Sequence, residues 1–335
     1  MSSISLKNIS FEVFGESHGK CIGAVITGFP AGVEIDFDAI RYDMNRRKPG
    51  KDKLSTSRKE ADEFEFVSGV MDGVTTGAPI CVMIYNTSQH SSDYSKLKTI
   101  PRPSHADYAA YIKYKGFNDI RGGGHFSGRL TAPIVCIGSL CKQYLATMNI
   151  SVRASVESIG GIKNTDSEYV CDEIKSLIIS KAHEGDSVGG KVSCSATGIP
   201  VGIGGPLFEG IEGNLSKLLF GIPAVKAVEF GLGEDYSFAY GSEVNDQYRI
   251  ENGNVVITSN NNGGITGGIT NGNPIEVKIT FKPTPSIFKQ QQSVNLLNNE
   301  NCDLKIQGRH DPCIVIRAVP VVEAVMSIGI LDMVM

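Results

Sequence analysis

Short stretches in which apolar and polar residues alternate recur along almost the whole chain of 335 residues, and glycine or polar turns bound each of them. Alternation with a period of two places every second side chain on one face of an extended strand, so it predicts half-buried β-strands. We expect strands at residues 21–29, 64–70, 78–85, 191–197, 274–281 and 313–319. The sheet signal is therefore spread over the whole chain.

Helical patterns lie between these stretches. The first begins at Asp36, which can cap a helix, carries Phe37, Ile40 and Met44 on one face, and ends before Pro49. We expect helices at residues 36–47, 104–114, 127–148, 167–183, 215–220 and 321–335. The residues alone thus predict a mixed α and β chain.

The organisation of the chain predicts one domain, residues 1–335. No Pro/Ser-rich linker or change of composition divides it, and its low-complexity tract is the Asn/Gly-rich segment 259–273. No predicted strand is followed by a GxGxxG sequence that opens a helix, so the dinucleotide-binding fingerprint is absent. A doubly wound parallel sheet is therefore not favoured.

Composition and charge indicate a soluble globular protein. The chain is 41% hydrophobic and 20% charged, with a net charge of −4, which does not suggest an extended nucleic-acid-binding face. Neither a signal peptide nor a membrane span is recognisable, so we expect a cytoplasmic protein without membrane contact. The eight cysteines contain no CxxC pair and sit mostly in apolar runs, which favours buried thiols over a metal site.

Basic residues gather in loops punctuated by glycine or proline. The loops contain Arg46, Arg47, Lys48, Lys51, Lys53 and Arg58; Arg102 and His105; Arg121, His125 and Arg129; and Arg309 and His310. Because arginine's planar fork suits carboxylate and phosphate, several converging basic loops indicate a small polyanionic ligand. Solvated surface charge is the alternative for any one loop.

Four further segments allow two interpretations each. The triplet at 122–124 before a helix can bind phosphate or serve a tight turn, and the tract 263–270 can wrap a cofactor or form turns. His18, between glycines before a strand, can donate a proton or be structural. The segment 308–313, before a predicted strand, can be catalytic or a capped turn.

Taken together, these segments resemble those of the chorismate synthase family. The matching strings are FGESHG at 14–19, RRKPG at 46–50, RPSHADY at 102–108, DIRGGGHFSGRLTA at 119–132, PAVKAVEFG at 223–231, NNGGITGGITNG at 261–272, KPTPSI at 282–287 and GRHDPCIVIRAVPVVEAV at 308–325. The resemblance spans nearly the full length in the family's order.

The resemblance implies a lyase. The family makes chorismate from 5-enolpyruvylshikimate-3-phosphate by an anti 1,4-elimination that loses the 3-phosphate and a C6 proton. The reaction is redox-neutral overall but depends on reduced, noncovalently bound FMN, for which NADPH is a candidate reductant. The family fold, an α+β sandwich of helices between antiparallel β-sheets, and its homotetrameric assembly are also implied.

The resemblance assigns roles to individual residues. His18 and His105 match general acids, Asp311 matches the carboxylate beside the flavin, and Ser17 and Ser127 match serines of the associated relays. Flavin contacts map onto His125, Phe126, Ser127, Ala224, Gly267, Lys282, Pro283, Thr284, Pro285, Ser286 and Arg309. Substrate or NADP contacts map onto Arg46, Arg47, Lys53 and Arg129. No metal is implied.

The chain departs from the family pattern at three positions. His125 and Leu130 replace an arginine and a glutamate, and Ser104 replaces a glycine. Histidine is not reliably charged at neutral pH, which weakens the expected anion contact at position 125. Two other classes of function remain open from the loops alone: a flavin-dependent oxidoreductase and a nonenzymatic module that binds a phosphometabolite or RNA.

Overall fold

The structure is a computed structural model that describes residues 2–50, 54–55, 61–87, 98–166, 169–306, 308 and 310–335. The helices are α1 (Phe37–Arg47), α2 (Asp107–Lys113), α3 (Thr131–Thr147), α4 (Asp172–His183), α5 (Ile211–Leu219), α6 (Gly241–Val244) and α7 (Val315–Val334). The strands from the amino-terminal half are β1 (Ser3–Ser5), β2 (Ser10–Gly15), β3 (Cys21–Thr27), β4 (Phe64–Ser68), β5 (Val70–Met71), β6 (Val74–Thr75), β7 (Ile80–Tyr85), β8 (Ser151–Ile159) and β9 (Ile162–Lys163). Those that follow are β10 (Gly190–Thr197), β11 (Val225–Phe230), β12 (Tyr248–Glu251), β13 (Asn254–Ile257), β14 (Ile265–Thr266), β15 (Ile269–Thr270), β16 (Ile275–Phe281), β17 (Gln291–Asn295) and β18 (Glu300–Leu304).

Two five-stranded antiparallel sheets carry most of the core. The first has the order β1-β2-β3-β7-β4 and the second the order β11-β16-β10-β8-β9. In the first sheet, Ala24 pairs with Val13 on one side and Val82 on the other, and in the second, Val192 pairs with Ile279 and Val156. In the central strands β3, β7, β10 and β16, every second side chain is buried, as period-two alternation requires.

Helices cover the buried faces. α3 packs against β3 and β7 of the first sheet and β8 of the second, and α7 packs against α1, α3, α5, β8 and β10. The contact between α3 and α7 is close, since a Cβ added at Gly138 would lie 2.2 Å from the Cβ of Ala324. Small residues at this point allow the two helices to approach.

Local signals explain where α1 begins. The Asp36 carboxylate accepts hydrogen bonds from the backbone N–H groups of Asp38 and Ala39, at 2.9 and 3.0 Å. This satisfies two of the N–H groups that a helix start leaves unpaired. The predicted cap is therefore confirmed, and the predicted mixed α and β class is an α+β arrangement with antiparallel sheets.

One predicted strand is wrong. Residues 313–319 were expected to be extended, but α7 begins at Val315 and continues through Pro320. The helix is buried along almost its whole length, so its apolar run shows no polar face that would reveal a helical period. Consequently the segment 308–313 precedes a helix, not a strand.

The cysteines and helices bear on two further expectations. All eight cysteines are free thiols; Cys136, Cys141, Cys194 and Cys313 are buried, and the other four are half-buried. Burial raises the pKa of Cys313 to about 12 and that of the other three buried thiols further. Among the helices described, none has the combined length and apolar character needed to cross a membrane.

Candidate active site

The turn between β2 and β3 holds Ser17 and His18, both buried. The Ser17 hydroxyl donates to the Arg121 carbonyl oxygen at 3.1 Å and lies 3.0 Å from His18 Nδ1. Because a hydroxyl has one hydrogen, it accepts from Nδ1–H of His18. This contact selects the tautomer in which Nε2 of the neutral ring is the proton acceptor.

The glycine triplet lies against both predicted histidines. Gly122, Gly123 and Gly124 all have left-handed φ angles, and a Cβ at Gly122 would be 2.2 Å from the His18 ring. A Cβ at Gly123 would be 3.2 Å from Nε2 of His105. Glycine is therefore required here by close packing, and one backbone segment brings His18 and His105 into the same site.

His105 is held by a buried acidic partner. Its Nδ1 lies 2.5 Å from Asp107 Oδ1, while Arg102 donates to both carboxylate oxygens of Asp107 at 2.7 and 2.8 Å. Burial alone would raise the Asp107 pKa, but hydrogen bonds from Arg102 and His105 hold it well below its usual range. The ionised carboxylate orients the ring so that Nε2 points toward Gly123.

The stretch 282–286 meets the loop that carries His105. Lys282 donates through Nζ to the Ser104 carbonyl at 2.5 Å and through its backbone N–H to Ala224 at 3.0 Å. Arg102 donates to Ser286 Oγ at 3.2 Å. Burial, with the neighbouring charge of Lys226, lowers the Lys282 pKa. These contacts join several of the predicted flavin residues to His105.

Ser104, one of the departures from the family pattern, has a φ of 59°. This left-handed conformation suits glycine, because a side chain there crowds the following carbonyl. The glycine that the resemblance leads us to expect would adopt this backbone geometry easily, whereas serine occupies the position under strain.

Two of the predicted arginines share one fully buried carboxylate. Arg47 donates to Asp62 Oδ2 at 2.6 Å, and Arg129 forms a short contact with Oδ1 of the same group. Burial raises the pKa of Asp62, but the charges of Arg47 and Arg129 outweigh this and lower it to about 2. The carboxylate thus stays ionised and fixes both guanidinium groups.

Arg46 faces a different cluster. It donates to both oxygens of Glu323 at 2.6 and 3.0 Å and to Asp43 at 3.1 Å, and Lys142 contacts the same two carboxylates. Burial lowers the Arg46 pKa, but its bonds with Glu323 and Asp43 produce a net rise. Arg46 also lies over the Tyr42 ring, with its guanidinium carbon 5.9 Å from the ring centroid.

Asp311 is linked to the same region through Arg317. Arg317 Nη1 forms a short ion pair with Asp311, and its Nε donates to the Arg47 carbonyl at 2.9 Å. Arg317 therefore links the Asp311 carboxylate to the backbone of Arg47. Lys53 and Arg309, also predicted as site residues, lie outside the described residues.

The segment 125–127 uses its polar groups locally. His125 Nδ1 lies 2.7 Å from the Gly15 carbonyl, its Nε2 contacts Ser2 Oγ, and Ser127 Oγ accepts from Arg129 N at 3.3 Å. Phe126 contacts the Tyr114 ring at 6.4 Å between centroids. The predicted flavin contacts at these residues stay predictions. The same is true of Gly267, which lies in the turn between β14 and β15.

Sequence reasoning missed three polar groups that organise the site. Asp107 follows His105 by two residues, and that spacing was an available signal. Asp62 and Asn86 had none, since their partners are distant in sequence: Asp62 lies 67 residues from Arg129, and Asn86 lies 43 residues from it. Among the described residues, no group of three or more His, Cys, Asp or Glu side chains could hold a metal ion.

The chain matches known proteins along nearly its whole length. A sequence profile described as chorismate synthase matches residues 9–335. Proteins named chorismate synthase from Dehalococcoides mccartyi and Pyrococcus abyssi are 44% and 46% identical; the alignments cover 99% and 97% of this chain and 96% and 95% of those relatives.

A solved structure leads to the same family. It is described as a crystal structure of chorismate synthase and is 28% identical in sequence, with a TM-score of 0.75. The superposition covers 98% of this chain and 92% of that one. The chain belongs to the chorismate synthase family.

Proposed function

We propose that this chain catalyses the reaction of its family, the conversion of 5-enolpyruvylshikimate-3-phosphate to chorismate, with reduced FMN bound noncovalently. The observation that carries the proposal is the packing of His18 and His105 against one glycine triplet, Gly122 to Gly124. Family membership alone gives the reaction class, whereas this packing supports the proposal that two proton-handling groups act in one site.

The overall chemistry is balanced without an external oxidant. The C3–O bond breaks and phosphate leaves with the electron pair, a proton leaves C6, and a new double bond completes the conjugated diene. Reduced FMN, when bound, supplies a transient electron donor and proton acceptor.

The two histidines would act through their Nε2 atoms. Ser17 sets the tautomer of His18, so a proton can be held or released at Nε2, the usual task of a general acid. His105, held by Asp107, would present Nε2 to the departing phosphate. Asp311 is proposed to carry the C6 proton onward, and Ser127 is proposed to belong to the associated relay.

The arginines would bind the anionic groups of the substrate. Arg47 and Arg129 are held by Asp62, so little side-chain freedom is lost when they bind a ligand. Preorganised donors of this kind stabilise charge that develops on a leaving phosphate. Arg46 and Lys53 remain part of the proposed substrate or NADP surface.

The proposed flavin site consists of His125, Phe126, Ser127, Ala224, Gly267, Lys282, Pro283, Thr284, Pro285, Ser286 and Arg309. Two observations support a fit. Thr284 Oγ1 is buried without a hydrogen-bond partner among the described residues, and a Cβ at Gly267 would meet open space. A polar ligand edge would satisfy the hydroxyl. NADPH is proposed as the reductant of the flavin.

We also propose a single catalytic domain, with α1, α3 and α7 sandwiched between the two sheets, that assembles as a homotetramer in the cytoplasm. One hydrophobic cluster contains buried residues from both large sheets and from these helices, which supports the single domain. Contacts of α3 with strands of both sheets support the sandwich.

An anaerobic assay tests the function. Purified protein would be mixed with 5-enolpyruvylshikimate-3-phosphate and FMN, with and without chemical reduction of the flavin, while chorismate absorbance and phosphate release are followed. We expect equal amounts of both products, and only with reduced FMN. Stoichiometric consumption of NADPH would indicate an oxidoreductase instead, and ligand binding without product would indicate a binding module.

A further inference from the structure

Asn86 follows β7 directly and contacts both the His18 turn and Arg129. Its Nδ2 donates to the carbonyl oxygens of Glu16 at 3.1 Å and Gly19 at 2.9 Å, which flank Ser17 and His18. Its Oδ1 accepts from Arg129 Nε at 3.1 Å. Both hydrogens and the carbonyl oxygen of one amide are therefore used.

The chemistry of these partners defines the orientation of the amide. Two backbone carbonyls accept only, and the guanidinium of Arg129 donates only, so exchanging Oδ1 and Nδ2 would break all three hydrogen bonds. An aspartate would retain an acceptor for Arg129 but would face the two carbonyls with another acceptor. Asparagine alone among side chains of this size satisfies all three partners.

Backbone hydrogen bonds also hold the turn that carries His18. The Glu16 carbonyl also accepts from Gly19 N at 3.0 Å, Asn86 N donates to the Lys20 carbonyl at 3.2 Å, and Ser17 N donates to Gly124 at 3.2 Å. Asn86 thus holds both ends of the segment that places the His18 ring. Through Arg129 and Asp62, the same amide connects to Arg47.

We propose that Asn86 is a positioning residue that fixes the His18 ring relative to Arg129. This inference rests on the proposed function, in which His18 handles a proton and Arg129 binds the anionic substrate. Since a displacement of about 1 Å can cost about 100-fold in rate, loss of this contact should be visible in kinetics.

Two variants test the contact. Asn86→Asp keeps an acceptor for Arg129 and removes both donors to the turn, so we expect kcat to fall by about 10- to 100-fold, and its new negative charge beside Arg129 should raise KM for the anionic substrate. Asn86→Ala removes all three hydrogen bonds of the side-chain amide, so kcat should fall similarly and KM should rise. Near wild-type kcat in Asn86→Asp would overturn the proposal, and that variant decides the matter if Asn86→Ala does not fold.

The matched control is Asn164→Ala. Asn164 also donates through Nδ2 to backbone carbonyls, those of Val156, Asp166 and Tyr169, at 3.2, 2.8 and 3.0 Å. None of these partners belongs to the candidate site. We expect a fall in Tm comparable to that of the Asn86 variants and unchanged kinetics. An equal fall of kcat in Asn164→Ala would mean that Asn86 affects turnover only through the stability of the fold, and would overturn the proposal.

A second readout does not depend on turnover. Nitrogen-15 NMR of histidine-labelled protein without ligands should show His18, identified by its loss in His18→Ala, as one Nδ1–H tautomer in the wild type. We expect Asn86→Asp to give a mixture of tautomers. An unchanged His18 signal would overturn the proposal even if kcat fell. If the wild type makes no chorismate, the proposed function fails, and this spectrum still tests the contact.

Discussion

Nδ1 of His105 lies 2.5 Å from Oδ1 of Asp107, and Arg102 bonds both oxygens of the same carboxylate. A buried carboxylate in this position orients an imidazole and so fixes the direction in which its other ring nitrogen points. The arrangement directs Nε2 of His105 toward the glycine triplet.

Asp107→Asn should therefore lower kcat by about 100-fold, because the ring loses its negatively charged partner. A double-mutant cycle with His105→Ala shows whether Asp107 acts by positioning His105 or by stabilising the fold. If Asp107 acts through His105, the double variant will be no slower than His105→Ala alone. Additive losses in the cycle would show that Asp107 affects turnover by another route.

His18→Ala and Asp311→Asn should each lose about 10² to 10⁴ of turnover, the range typical of a removed acid or base. Binding of reduced flavin and substrate, measured by fluorescence titration, should be largely kept. His183→Ala and Asp38→Asn, at exposed positions, are the matched controls and should behave as the wild type. Wild-type rates in both site variants would remove the assigned roles.

Arg47→Met should lower the free energy of unfolding by about 3–5 kcal/mol, since it leaves the Asp62 charge buried with one arginine fewer. Arg41→Met is the control, because Arg41 and Asp38 form an exposed pair expected to contribute about 0–1 kcal/mol. Denaturant unfolding measures both. Equal losses in the free energy of unfolding would mean that burial does not determine how much these ion pairs contribute to stability.

Acid stability should depend on Asp62. Its pKa is about 2 in the folded chain against 3.8 for the ordinary group, so the folded state favours the ionised form. The resulting stabilisation, about 2 kcal/mol, is present above pH 3.8 and is lost as the pH falls toward 2. Between these pH values, the free energy of unfolding should change less with pH in Asp62→Asn than in the wild type. The same pH dependence in both proteins would contradict the assignment.

Gly138→Ala should destabilise the chain by about 1–3 kcal/mol, because its new methyl group would overlap Ala324 where α3 meets α7. Gly213→Ala in α5 is the matched helix variant, with no atom within 4 Å of the added carbon. It should be neutral or stabilising by up to about 1 kcal/mol. In thermal unfolding, the Tm of Gly138→Ala should therefore fall while that of Gly213→Ala stays the same or rises; an equal fall in both would contradict the prediction.

Much of this architecture was predictable where local chemistry determines it. Period-two alternation located β3, β7, β10 and β16, and the Asp36 cap located α1. The helix predicted at residues 321–335 lies within α7, but its start at Val315 was missed because Val and Ile in a short run also suit a buried strand. Burial on all sides removes the polar face that distinguishes the two.

The segments that form the site could be predicted from the sequence, but the contacts between them could not. His18 and His105 were found because each lies in a recognisable segment. Their common packing against Gly122 and Gly123 depends on three separate loops, which no local pattern describes. Asp62 and Asn86 were missed for the same reason. Their hydrogen-bond partners are distant in the sequence, and only the folded chain brings them together.

α7 also has a consequence for how the polypeptide matures. Residues 315–334 leave the ribosome after both large sheets, yet they pack on β8, β10 and α3, and Asp332 accepts from the N–H groups of Lys7, Asn8 and Ile9. Until then, the nascent chain exposes the apolar surface of β8, β10 and α3 that α7 covers in the fold, and contacts so distant along the chain form slowly. The contacts that close the amino-terminal segment therefore form only after the synthesis of a residue more than 300 positions later in the chain.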